Sequence, residues 1–107
     1  MAVKTYNKLV RDLIPDVIAA GGGTCRTRVL DDSEYLTMLD AKLDEELHEY
    51  HRDQNIEELA DLLELINAAA LAHGYTLADL EAARAAKAER RGTFTRKLFL
   101  LDVTTPD

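Results

Sequence analysis

Residues 31–74 read DDSEYLTMLDAKLDEELHEYHRDQNIEELADLLELINAAALAHG, and the period of their apolar positions decides the fold. Asp31, with Glu34 three residues on, predicts a capping box that opens a helix running to about Arg52. Within it Leu36, Leu39, Leu43, Leu47 and Tyr50 recur every three or four residues, which draws one apolar stripe along an amphipathic helix. A short turn around Asp53–Asn55 makes the following helix an antiparallel neighbour. That second helix runs from about Ile56 to His73 and stops at Gly74. Leu59, Ala60, Leu62, Leu63, Leu65, Ile66, Ala68, Ala69 and Ala70 surround nearly its whole circumference. A helix apolar all round has to be covered on all sides. A chain of 107 residues struggles to do that alone, so a homo-oligomer is expected, a dimer or a dimer of dimers.

Working outward, Gly and Pro punctuate the chain. Pro15 opens a short helix carrying Val17, Ile18, Ala19 and Ala20 to a stop at Gly21-Gly22-Gly23. Thr24 to Leu30 alternates in side-chain character, the period of a short strand. Thr76, with Asp79 at the third helical position, starts another helix that continues through an alanine-rich stretch to Arg91 and breaks at Gly92. Phe94 to Val103 reads as extended and is expected to pair antiparallel with Thr24–Leu30. A lone two-stranded ribbon is marginal, so it would have to pack on the helices. The expected fold is one mostly all-α domain over residues 1–107. It is a helical bundle of four to five helices with a small antiparallel two-stranded ribbon, completed by oligomerisation.

Composition narrows the function. Thirteen basic and twenty acidic residues give a net charge of -7, which argues against binding polymeric nucleic acid through its phosphates. It leaves cations and small cation-bridged ligands as partners. One cysteine, Cys25, excludes an internal disulfide and any multi-cysteine zinc site. No apolar run approaches the roughly 18–20 residues of a membrane span. The first residues lack the apolar core of a secretory signal, so a cytoplasmic protein is expected.

The charge is unevenly distributed. From Asp44 to Glu64 there are nine acids and one base, and from Arg84 to Lys97 six bases and one acid. A metal–polyphosphate site needs such a pair of blocks: hard oxygens for the cation and positive side chains for the phosphates. Glu46 and Glu49 are three apart on the first long helix, and Glu58 and Asp61 three apart on the next. Residues at that spacing project to the same side, with roughly 5–6 Å between Cβ atoms. Two antiparallel helices can bring both pairs to one patch. Four convergent carboxylates repel unless a cation lies among them, and Mg²⁺ or Mn²⁺ suits an all-oxygen set. Glu58 and Asp61 sit one turn from Leu62 and Leu65, where an unpaired acid is costly. Glu57 and Glu64 read as solvated.

The run Glu45-Glu46-Leu47-His48-Glu49, followed by Glu58-Leu59-Ala60-Asp61, has the form E-E-x-x-E … E-x-x-D. It resembles the signature of the all-α nucleoside triphosphate pyrophosphohydrolases: MazG-type proteins, helical dUTPases and dCTPases, and phosphoribosyl-ATP pyrophosphohydrolase. Tyr6-Asn7-Lys8-Leu9-Val10-Arg11-Asp12, then Ile14-Pro15, resembles the opening of the phosphoribosyl-ATP-pyrophosphohydrolase-like branch. Lys87 with Arg90-Arg91-Gly92-Thr93-Phe94 is similar to that branch's third motif, although Thr93 stands where members often carry Gly. The resemblance spans about residues 6–101. It implies that Glu46, Glu49, Glu58 and Asp61 ligate Mg²⁺. It also implies that Glu45 orients or activates water, and that Lys8, Arg11, Lys87 and Arg91 contact phosphates. The implied reaction is hydrolysis between the α- and β-phosphates of a nucleotide, giving a monophosphate and pyrophosphate.

The chemistry that the resemblance implies needs no Ser, Cys or His nucleophile, because a divalent cation can activate water for in-line attack. Gly21-Gly22-Gly23 lacks the Lys-Ser/Thr of a phosphate-binding loop and reads as a turn. Two other classes compete. Glu45-x-x-His48, doubled in a dimer, could build a carboxylate-bridged iron or manganese site, but that leaves Glu58, Asp61 and the basic block unused. A non-catalytic helical interaction module could keep the same shape without binding a cation.

Overall fold

A computed structural model describes residues 2–106. It contains four helices, α1 (Ile14–Ala20), α2 (Asp32–Asp53), α3 (Ile56–Ala72) and α4 (Leu77–Arg91). Each lies within a residue or two of its sequence-predicted limits, because local signals set the ends. The Asp31 carboxylate accepts from the Glu34 backbone N–H at the start of α2, and Asn55 accepts from the Glu58 N–H at the start of α3. Thr76 and Asp79 form a complete capping box on α4, each side chain bonded to the other's backbone N–H. The box expected at Asp31 is only half made. The Glu34 carboxylate turns away to take both Arg28 Nη atoms, at 3.1 and 2.7 Å, and an ionic partner outcompetes a backbone N–H. Arg28 is therefore paired with Glu34.

The reversal between α2 and α3 takes two residues. Gln54 adopts the left-handed conformation at φ 52°, its N–H closing on the Tyr50 carbonyl, and Asn55 caps the next helix. That tight link makes α2 and α3 the main packed pair of the molecule, with α4 resting on α3. The inward face of α3 carries Glu58, Asp61, Leu62, Leu65, Ala68, Ala69 and Ala72, all partly covered, while Leu39 on α2 is the one hydrophobic side chain fully buried among the described residues.

The expected ribbon does not form. Among the described residues there is no strand: 24–30 and 98–103 have no regular secondary structure, and between α4 and the latter the chain turns at 94–97, where the Lys97 N–H donates to the Phe94 carbonyl at 3.2 Å with Lys97 at φ 59°. Val29 and Phe94 are almost fully exposed, as are Leu98, Phe99, Leu100 and Leu101. Alternation supplies a pattern for strand pairing but not the apolar backing that would offset the entropy of ordering two strands. No helix face of this chain is offered to either segment.

The molecule is elongated, 69 × 32 × 25 Å, with a radius of gyration of 19.1 Å, against about 13 Å for a compact chain of this length. Its accessible surface is 9814 Å², roughly 3,900 Å² more than the about 5,900 Å² expected of a compact monomer of this mass. No helix of the described residues is long and apolar enough to cross a membrane.

With so little fully enclosed apolar volume, stability concentrates at the α2–α3 contact. Leu39→Ala is expected to lower the free energy of unfolding by about 2–5 kcal/mol, the range for emptying a buried leucine site. Urea titration followed by circular dichroism measures it, and a loss under about 0.5 kcal/mol, the size of an ordinary surface substitution, would contradict the placement of the core.

Candidate metal centre

The site grows from helical spacing. Glu45, Glu46 and Glu49 occupy one turn of α2, and Glu58 and Asp61 occupy one turn of α3. The two-residue reversal brings the turns side by side. Carboxylate oxygens of Glu45, Glu46 and Glu49 lie within 4.8 Å of one another, and so do those of Glu46, Glu58 and Asp61. Glu46 belongs to both groups and joins them. The four acids expected to converge, Glu46, Glu49, Glu58 and Asp61, are divided between two triads: Glu58 and Asp61 join Glu46 in one, and Glu49 joins Glu46 and Glu45 in the other.

Glu46 is the one charged residue that is buried among the described residues. It is 7% exposed. Its Oε2 and the Oε2 of Glu58 are shielded from water and accept no hydrogen bond from the described residues. A shielded carboxylate oxygen without a partner is destabilising, whether its charge or only its lone pairs go unanswered. Burial pushes the Glu46 carboxyl up to about 7, with the neighbouring Glu49 carboxylate acting in the same direction. Burial also raises Glu58, followed by the charge of Glu49. The donor set is all oxygen, comes from two rigid helices and has two oxygens already stripped of water. Those features fit a hard divalent cation such as Mg²⁺ or Mn²⁺.

Three cations border the acids. Lys8 Nζ donates to Glu45 Oε1 at 2.8 Å, and Arg11 Nη2 donates to Asp61 Oδ1 at 2.7 Å. The segment before α1 is thereby tied to both α2 and α3. Lys42 Nζ lies 3.4 Å from Glu45 Oε1 and 3.5 Å from Glu46 Oε1. The Lys8 hydrogen bond holds the Glu45 carboxyl below the usual range, and the same contact raises Lys8. Lys8 and Arg11, expected at phosphates, here answer the acids instead, because those are the nearest opposite charges. Lys42 went unnoticed in the sequence, although its spacing of three and four from Glu45 and Glu46 was the available signal.

Lys87 and Arg91 are exposed on the last turns of α4, and neither makes an ion pair among the described residues. α4 makes no close backbone approach to α2, so the geometry does not bring these two residues into the acidic triads. His48, the nitrogen ligand of the di-iron alternative, uses its Nδ1 to donate to the Asp44 carbonyl at 2.7 Å. It belongs to neither triad.

No protein-family model matches the chain, and no solved structure matches it. A stretch of 42 residues, 39% of the chain, is 57% identical to an uncharacterised protein of Mycolicibacterium smegmatis (strain ATCC 700084 / mc(2)155). The match covers 43% of that protein, so the chain spans less than half the length of the relative it matches.

The raised Glu46 carboxyl has a definite consequence for stability without added cation. Between pH 4.5 and about 7 the folded chain holds a proton at Glu46 that the unfolded chain has released. The unfolded state then binds fewer protons at this group, so the contribution of Glu46 to stability is fully present below pH 4.5 and is lost as pH rises through about 7. In Glu46→Gln this contribution disappears. Thermal melts of both proteins in chelator from pH 4.5 to 8 are expected to show a steeper decline for the wild type. Parallel curves would contradict the burial of this carboxyl.

Proposed function

We propose that the chain is a Mg²⁺-dependent nucleotide pyrophosphohydrolase, with Mn²⁺ able to substitute, that cleaves between the α- and β-phosphates to give a monophosphate and pyrophosphate. The observation that carries this reading is the pair of carboxylate triads joined through Glu46, with two oxygens shielded and unpartnered. Such a set is unfavourable on its own and favourable around a divalent cation. The resemblance of the E-E-x-x-E … E-x-x-D run to the all-α pyrophosphohydrolases supplies the reaction class. A house-cleaning role against unwanted nucleotides belongs to the same proposal.

Glu46, Glu49, Glu58 and Asp61 hold the cation. When bound, it neutralises charge on the phosphate oxygens and activates a water for in-line attack. Glu45, pinned by Lys8 and Lys42, stays ionised and can accept a proton from the attacking water or orient it. Lys8 and Arg11 are already within hydrogen-bond reach of the acids and place positive charge beside the reacting phosphates. Lys87 and Arg91 are retained as phosphate contacts on the resemblance alone. The same reading has the chain acting as a homo-oligomer, because α3 cannot cover all its apolar sides within one chain.

A panel of ribo- and deoxyribonucleoside triphosphates, incubated with the protein and Mg²⁺ and assayed for pyrophosphate, tests the proposal. Release is expected from at least one of them. Glu58→Ala and Asp61→Ala are expected to drop turnover to background while keeping the helical circular dichroism of the parent. No pyrophosphate from any nucleotide with either Mg²⁺ or Mn²⁺ would remove the hydrolase reading.

A further inference from the structure

We infer that residues 2–20 are an arm that acts as a tethered counter-cation: without a divalent ion, Lys8 and Arg11 hold it closed over the acidic triads, and an ion entering the triads releases it. The inference rests on the proposed cation site and not on the proposed hydrolysis. Residues 2–13 contain no helix or strand, and α1, which follows them, makes no close backbone approach to any other helix. None of residues 2–20 is buried, and Tyr6, Leu13 and Val17 are 60, 70 and 62% exposed. Only Leu9, Ile14 and Pro15 are partly covered. Apolar packing contributes little to holding this arm on the body.

Among the described residues its side-chain polar attachments to the body are two ion pairs, and both end on the candidate metal centre. Lys8 Nζ reaches Glu45 Oε1 at 2.8 Å, and Arg11 Nη2 reaches Asp61 Oδ1 at 2.7 Å. Glu45 and Asp61 belong one to each of the triads that share Glu46. The arm thus bridges α2 and α3, with one basic group on each helix. Asn7 turns the chain at φ 48° immediately before Lys8. At the other end Gly21-Gly22-Gly23 joins α1 to residues 24–30, which have no regular secondary structure. Gly22 sits at φ 87° in open space, a backbone freedom that a side chain would remove. This linker lets the arm leave without disturbing α2, whose first turn is engaged separately by Arg28 on Glu34.

A divalent ion and these two side chains compete for the same oxygens. Arg11 occupies Asp61 Oδ1, and an ion among Glu46, Glu58 and Asp61 sets its charge against the guanidinium at close range, where like charges repel. The ion engages several carboxylates at once, whereas each exposed ion pair is weak. The arm also answers only the rim of the site: Glu46 is 7% exposed, and its Oε2 and that of Glu58 stay without a partner while the arm is closed. The two occupancies are therefore linked. Whatever the arm contributes to the cation-free chain is subtracted from the apparent affinity for the ion, and the ion loosens the arm by the same factor. The bare acids are screened until an ion arrives, and Lys8 and Arg11 become free for a polyanion only once it is in place.

Two readouts test the arm, and neither is turnover. The first is Mn²⁺ affinity by titration calorimetry. Lys8→Gln and Arg11→Gln are each expected to tighten Mn²⁺ binding about two- to fivefold, and the double variant about five- to thirtyfold, the range that losing one or two exposed ion pairs allows. Lys4→Gln removes the same charge from the same arm, but Lys4 lies over the Tyr6 ring at 5.0 Å and pairs with no carboxylate among the described residues, so its affinity is expected to match the wild type. The second is trypsin cleavage after Lys8, whose side chain has to leave Glu45 to enter the protease. Measured against cleavage after the exposed Lys97, it is expected to accelerate about fivefold when chelator is replaced by Mg²⁺, since cleavage follows the open population. Unchanged or weakened Mn²⁺ binding in the double variant, a Lys4→Gln effect as large as that of Lys8→Gln, or cleavage after Lys8 indifferent to Mg²⁺ overturns the arm and leaves the cation site standing. A wild type that binds no Mn²⁺ overturns both. Pyrophosphate release is read separately, so failure of the arm and failure of the hydrolase reading are distinguishable.

Discussion

Glu46 lies where α2 meets α3, covered almost completely and joined to carboxylates on both sides. An acid in that position resists ionisation, and its neighbours make the resistance worse. The surrounding chemistry reads as a set of answers to this one charge problem. Lys42 approaches from the preceding turn of the same helix. Lys8 and Arg11 fold the segment before α1 down onto the triads, and their ion pairs are the side-chain ties holding that segment to α2 and α3. Even so, one oxygen each of Glu46 and Glu58 stays unsatisfied. Structural economy alone would not keep such a group, since an apolar residue of similar size would pack there at lower cost.

A divalent cation, as proposed, would resolve the problem more completely than the three basic side chains do. It can be reached by several oxygens at once, where each ion pair engages one or two. Two of the three basic side chains, Lys8 and Arg11, are 37 and 57% exposed, and exposed ion pairs contribute little, about 0–1 kcal/mol each. They are therefore easily redirected toward a polyanionic ligand. This division between deep carboxylates and shallow bases is the physical content of the pyrophosphohydrolase proposal. It also distinguishes that proposal from a histidine-containing di-metal site, since His48 belongs to neither triad.

The elongated shape belongs to the same picture. α3 serves two surfaces, an inward one that carries Glu58 and Asp61 against α2 and an outward row of isoleucine and leucine. With α2 on one side and α4 touching another, α1 is the remaining helix, and it makes no close approach to α3. The extended C-terminal segment, rich in leucine and phenylalanine, is likewise uncovered. Exposed apolar surface of this extent is what the proposed self-association would cover.

The helices were legible in the sequence because their determinants are local. Asn55 and Thr76 cap by reaching three residues along the chain, glycines follow α1 and α4 directly, and the 3.6-residue period puts Glu46 beside Glu49 and Glu58 beside Asp61. The ribbon misled for the opposite reason. Alternation in Thr24–Leu30 is a local pattern, but strand pairing is a contact between distant segments and forms only where the ordering entropy is offset. The depth of Glu46, the capture of Arg28 by Glu34, and the ties from Lys8 and Arg11 to acids 37 and 50 residues away likewise depend on which surfaces meet. By itself, then, the order of residues determined the helices, their ends and which acids share a turn, since neighbours along the chain set those. Tertiary packing decided which acid lost its water, because burial is a property of what two helices cover together.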